Sequence, residues 1–210
     1  MKVTYLRATA ALAVGLVLSA CGGKASFDVS GTVYTNNVPG LPNSGLVLTN
    51  GSDTVTVPAG TPTFTFPQRI SYGTDYDVEV KTSAAHMTCV AIQPTNAGSA
   101  GHTTSIQVSI TCSQNSYTLG GTATGLVGTD PVGTGLVLAN GSAGGTVAVG
   151  KPADGSGRAD FVLPIPVEDG QVYGVTVYTQ PNGLFCTVAN GTDIMHNASV
   201  SNVIVTCKPQ

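Results

Sequence analysis

Ser105-Ile106-Gln107-Val108-Ser109-Ile110-Thr111-Cys112 is the stretch that decides the fold. Ile106, Val108, Ile110 and Cys112 fall on one face of an extended chain; Ser105, Gln107, Ser109 and Thr111 fall on the other. Alternation of period two buries one face of a strand and leaves the other wet, as in antiparallel sheets covered on one side. The pattern recurs upstream, where Tyr76, Val78 and Val80 oppose Asp75, Asp77 and Glu79. Seven strands are expected in this part of the chain, near 27–35, 44–49, 53–57, 62–66, 75–82, 87–92 and 104–112. No apolar run of helical spacing follows residue 25. Val and Thr, which favour strands, are plentiful, and Gly, Asn and Pro supply the turns.

The pattern then repeats. Phe27-Asp-Val-Ser-Gly-Thr-Val33 aligns with Tyr117-Thr-Leu-Gly-Gly-Thr-Ala123, and Ser44-Gly-Leu-Val-Leu-Thr-Asn-Gly-Ser52 with Thr134-Gly-Leu-Val-Leu-Ala-Asn-Gly-Ser142, both at an offset of 90. A seven-residue insertion in the second copy raises the offset to 97, which sets Phe64 on Phe161, Tyr76 on Tyr173 and Cys89 on Cys186. A two-residue deletion then sets Cys112 on Cys207 at an offset of 95. Anchors in the same order along two copies mark a duplication.

Seven short strands per copy predict an all-β chain of two tandem immunoglobulin-like sandwiches. The expected organisation is a signal peptide over 1–20, a short tether over 21–26, a sandwich over 27–112, a linker over 113–116 and a second sandwich over 117–208. The chain has no Trp, so the core Trp of a true immunoglobulin domain is missing, as is its inter-sheet cysteine pattern.

The N-terminus reads as an export signal. Lys2 and Arg7 form a basic start, and Ala8 to Leu18 is apolar except for Thr9 and Gly15. That stretch is too short to span a bilayer, which takes roughly 20 apolar residues, and it suits a signal-peptide core. Leu18-Ser19-Ala20-Cys21 resembles the lipobox of bacterial lipoproteins. The resemblance implies cleavage between Ala20 and Cys21 and acylation of Cys21 (palmitate among the chains). Gly22 in place of the Asp that retains such proteins in the inner membrane implies the outer membrane. Two or more acyl chains are needed for lasting attachment, since each buried CH₂ contributes about 0.8 kcal/mol.

Charge excludes some partners. The precursor has 8 basic and 11 acidic residues; losing Lys2 and Arg7 leaves a net charge near −5. A nucleic-acid binder needs a basic footprint, so no nucleic-acid partner is expected. The expected membrane contact is through the lipid anchor.

Five cysteines is an odd number. Acylation of Cys21 leaves four, and the repeat pairs them as Cys89–Cys112 and Cys186–Cys207. An exported location permits disulfides. A four-Cys metal site is disfavoured, because structural zinc sites bring two ligands within two to four residues of each other.

Chemistry is sparse. The nucleophile elbow, the phosphate-binding loop and the His-Glu-x-x-His motif are all missing from the sequence. His86, His102 and His196 read as solvated loop residues, the last two within the cysteine loops. Asp75, Asp77 and Glu79 share one strand face and are the weak metal candidates, for Ca²⁺; the second copy has Val172, Gly174 and Thr176 there. Asp154-Gly-Ser-Gly-Arg-Ala-Asp160 reads as a turn. Tyr72 and Tyr178 lie off the core phase and are the exposed aromatics available to a glycan. No metal and no cofactor are expected.

Tyr173-Gly-Val-Thr-Val177, Cys186-Thr-Val188 and Val203-Ile-Val-Thr-Cys207, preceded by Gly135-Leu-Val-Leu138 and Asn140-Gly141, resemble a repeat of extracytoplasmic proteins and lipoproteins of proteobacteria. That resemblance implies immunoglobulin-like modules with scaffold or binding roles. The expected function is therefore a non-enzymatic, lipid-anchored cell-envelope protein with a structural, adhesive or protein-binding role. Its partner would be an envelope or extracellular protein. The alternative is a binding module for a glycan, a small ligand or Ca²⁺.

Overall fold

The computed structural model describes residues 25–141 and 144–210. The expected signal peptide over 1–20 and the expected lipidation site Cys21 lie outside these described residues. The rest is all-β, with no α-helix among the described residues and no helix long and apolar enough to cross a membrane.

Each half is built on seven principal strands. The first has β1 (Val29–Thr35), β2 (Leu46–Asn50), β3 (Asp53–Val57), β4 (Thr63–Thr65), β5 (Asp75–Thr82), β6 (Met87–Ala91) and β7 (Ile106–Gln114). The second has β8 (Leu119–Thr124), β9 (Leu136–Asn140), β10 (Thr146–Val149), β11 (Ala159–Val162), β12 (Val172–Thr179), β13 (Leu184–Ala189) and β14 (Val200–Pro209). Shorter pieces of two or three residues, such as Ser26–Phe27 with Ile70–Ser71, add edges.

In the first half, one sheet runs β4–β1–β7–β6 and the other Ala97–Ser99, β5, β2, β3. The second half repeats this as β11–β8–β14–β13 and β10–β9–β12 with Thr192–Ile194. Both sheets of a half close on one apolar cluster. Val29, Val33, Leu46, Leu48, Val78 and Ile110 are fully buried in the first cluster; Leu119, Leu136, Leu138, Val203 and Val205 are in the second. Ile106, Val108, Ile110 and Cys112 all point inward, on the face their alternation predicts.

The sheets are not purely antiparallel, as alternation alone suggests. The first and last strands of each half pair in parallel, β1 with β7 and β8 with β14. A parallel neighbour needs a long crossover, and here the five intervening strands are that crossover. Gly31 lies opposite Val108 in this ladder and Gly121 opposite Val203.

The strand registers also divide the seven-residue insertion. Thr54 pairs with Thr49, and Thr146 pairs with Ala139, so two residues lengthen the β9–β10 hairpin. The other five lie between β10 and β11. One brace survives in both copies: the Asn50 side-chain carbonyl accepts the Asp77 N–H at 3.0 Å, and that of Asn140 accepts the Gly174 N–H at 2.8 Å.

Cys89 is bonded to Cys112 and Cys186 to Cys207, at sequence separations of 23 and 21. Each pair sits directly opposite across the antiparallel β6–β7 or β13–β14 ladder, so each bridge staples neighbours within one sheet. The connector is shorter than the 113–116 expected. Ser113 and Gln114 continue β7, opposite Thr88 and Met87, and Ser116 already pairs with Glu168. Asn115 alone lies between strands, because the ladder held by Cys112 carries on past it.

Candidate functional site

The most organised polar site lies where the halves meet, and it is built around Asn115. The Asn115 N–H donates to the His86 carbonyl at 3.0 Å, and the Asn115 carbonyl accepts the Asp169 N–H at 2.9 Å. Gln114 Nε2 donates to the Asp169 carbonyl at 3.1 Å. Thr88 donates its hydroxyl proton to Asn115 Oδ1 at 2.7 Å. His86 Nδ1 stands 3.2 Å from Asp169 Oδ1, and Asp169 is only 8% exposed. The His86 ring also lies over Gly170, where an added Cβ would come within 3.2 Å of ring atoms. A buried carboxylate is costly unless it has a partner, and His86 of the first half is the basic side chain beside Asp169 of the second.

His86 is an exposed turn residue, as expected, but its contact with Asp169 across the joint is not directly legible in the sequence. A signal did exist. The offset of 97 places His86 on Gly183, and both backbones are left-handed, with φ of 63° and 68°. A histidine at a position that suits glycine marks a side chain with a task. We expect His86→Asn, which keeps the backbone preference and shortens the side chain, to deprotect the Asn115 and Asp169 amides. Hydrogen exchange should show a loss of about two- to fivefold, the scale of one ion-pair contact with a half-exposed partner, with core amides such as Val108 unchanged.

The sheet edges are the second candidate surface, since an open edge accepts a partner strand. Two edges are partly closed next to the disulfides. On β13, Gln180 mimics a neighbouring strand: its Oε1 accepts the Cys186 N–H at 2.7 Å and its Nε2 donates to the Cys186 carbonyl at 3.1 Å. On β6 the equivalent residue is Ser83, whose hydroxyl accepts the Cys89 N–H at 3.0 Å. Gln180→Ala is expected to free both Cys186 groups and give concentration-dependent self-association in sedimentation velocity, with the wild type monodisperse.

The other sequence candidates do not converge. Asp75, Asp77 and Glu79 are exposed along β5, and Asp77 Oδ1 accepts the Asn96 amide at 3.3 Å. Among the described residues no group of three metal-ligating side chains gathers. His102 and His196 are exposed, each in the cysteine loop of its own half. Tyr72 and Tyr178 are 64% and 73% exposed. In the 154–160 turn, the Ser156 N–H and then its hydroxyl hold the Asp154 carboxyl below its ordinary range. Burial, then the Asp193 carboxylate, push the Tyr173 phenol above its ordinary value.

A crevice of about 660 Å³ is lined by Gly128, Asp130, Thr134, Lys151 and Gly155. Lys151 Nζ donates to the Gly128 carbonyl at 2.6 Å and pairs with Asp130 at 2.8 Å. Its charge is thus taken up by the protein itself.

No protein-family model matches the chain. No curated protein matches it either. Among solved structures, the chain is similar to the Bacillus anthracis TIE protein, with 14% identity and a TM-score of 0.49 over 88% of this chain and 34% of that one. It therefore spans about a third of that protein's length. It is also similar to a shaft pilin of Lactobacillus rhamnosus GG, with 13% identity and a TM-score of 0.30 over 89% of this chain and 99% of that one. A streptococcal ancillary pilin has 12% identity and a TM-score of 0.30 over 88% of this chain and 63% of that one.

Proposed function

We propose that this chain is a lipid-anchored protein of the cell envelope, held at the outer membrane through Cys21, with a structural or adhesive role and no catalytic one. The observation that carries this reading is its serial build. Two separately packed, disulfide-stapled sandwiches are coupled through Asn115 and the His86–Asp169 contact. Such a build holds whatever the second half grips at a set distance from the anchor. The partner would be an envelope or extracellular protein, engaged through strand edges or loops.

The anchor is tested by labelling cells with a radioactive fatty acid. The wild type is expected to carry label and sediment with membranes, and Cys21→Ser to lose the label. Label that persists in Cys21→Ser overturns the anchor. Calorimetric titration tests the role: a stoichiometric heat with Ca²⁺ or a glycan would replace the structural reading with that of a ligand-binding module.

A further inference from the structure

The entry to each half is built the same way, and the second half shows what that entry is for. In the second half, Ser116–Tyr117 pairs with Val167–Glu168, and the Asp169 N–H donates to the Asn115 carbonyl at 2.9 Å. In the first half, Ser26–Phe27 pairs with Ile70–Ser71, and the Tyr72 N–H donates to the Ala25 carbonyl at 2.8 Å. The matches run residue for residue, Ala25 on Asn115 at an offset of 90 and Tyr72 on Asp169 at 97. Gly73 and Gly170 share left-handed φ values of 78° and 85°.

Asp169 is the residue that docks the second half onto what precedes it. Tyr72 holds that position in the first half, and what precedes there is the anchor segment. Only residues 22–24 separate Ala25 from Cys21, so the four steps between them reach roughly 13–14 Å at about 3.3–3.6 Å per extended residue. Tyr72 is 64% exposed. Its ring lies against Gly101, where an added Cβ would come within 2.3 Å of it, so the ring is seated on this end of the sandwich. Arg69, near Tyr72 in sequence, is held by the protein: its Nη2 donates to the Ser26 carbonyl at 2.7 Å and its Nε stands 3.1 Å from Asp28. The end surface thus presents an aromatic ring with a polar tip, the side-chain type that settles at membrane interfaces.

We infer that the Tyr72 end of the first sandwich is a membrane-docking surface that rests in the lipid headgroups beside the acylated Cys21. The inference rests on the lipid-anchor reading. The Tyr72 contact fixes the tilt of the first half on the bilayer, as Asp169 fixes the second half on the first.

The absence of Trp from the chain makes the test clean. Full-length, acylated Tyr72→Trp and Tyr178→Trp chains are reconstituted into phosphatidylethanolamine–phosphatidylglycerol vesicles carrying a headgroup nitroxide lipid. Flotation and tryptophan emission are then read together. Both proteins should float with the vesicles. The Tyr72→Trp emission should be quenched at least twofold relative to nitroxide-free vesicles, and that of Tyr178→Trp should be unchanged. Floating protein with equal or no quenching at both positions overturns the docking surface and leaves the anchor standing. If the protein purified from cells carries no acyl chain on Cys21, the anchor is overturned, and the docking inference with it.

Discussion

Gly121→Ala is expected to destabilise the second half of the chain strongly and leave the stability of the first half unchanged. Gly121 has no unusual φ; its need for glycine is one of space. An added Cβ would sit 1.9 Å from the Val203 carbonyl oxygen and 2.8 Å from Val203 Cβ. Those atoms belong to β14, and Val203 and Val205 are fully buried in the centre of the second core. The ladder must part or the sheet must shift, and overpacking a tight core commonly costs about 1–3 kcal/mol, occasionally more. With backbone rather than a side-chain tip in the way, the cost should reach at least about 3 kcal/mol. Gly31→Ala should do the same to the first half, where the Cβ would meet the Val108 oxygen at 2.0 Å and Phe64 Cζ at 2.7 Å. Gly174→Ala is the control: nothing lies within 4 Å of its Cβ position. Calorimetry should show one early transition and one unchanged transition for each of the first two variants, and a wild-type trace for the control. A wild-type trace for Gly121→Ala would contradict the tight β8–β14 approach.

The second large effect is expected from the disulfides. Bridges at separations of 23 and 21 residues should each contribute about 3 kcal/mol by restricting the unfolded chain. A domain of this size has only about 5–15 kcal/mol in total. The double variant Cys89→Ala, Cys112→Ala should therefore lower the melting point of the first half by about 12–24 °C. Both sulfurs are buried in the core, so mild reductant acting on the folded protein should be slow, and melting in reductant should approach the double variant. Non-reducing peptide mapping supplies the independent check: fragments joined 89–112 and 186–207, with no link between halves.

The strands were legible because each buries one face, and period two survives in single stretches such as 104–112 and 75–80. The duplication was legible because its anchors are core residues and cysteines, which packing keeps in order. Parallel pairing of first and last strands was not legible, since alternation reports which face is buried and says nothing of direction. Nor were the caps made by Ser83 and Gln180, because side-chain hydrogen bonds to a strand edge leave no periodic trace. The His86–Asp169 contact joins residues remote in sequence and of different types in the two copies. It could be found only by asking why His86 replaces the Gly183 of the other repeat.

The parallel ladder of β1 and β7 has a mechanical consequence. Its register runs from Val29 opposite Ile106 to Thr35 opposite Cys112. The chain therefore enters at one end of the ladder and leaves at the other. Tension applied between the start of β1 and the end of β7 pulls the two strands lengthwise past one another. Every rung is strained together, whereas a hairpin pulled at its open end parts one rung at a time. At the last rung the disulfide at Cys112 passes part of that load sideways into β6. The same holds for β8 and β14 in the second half. Under pull the molecule should behave as a stiff tie that holds its length until a whole ladder gives way at once.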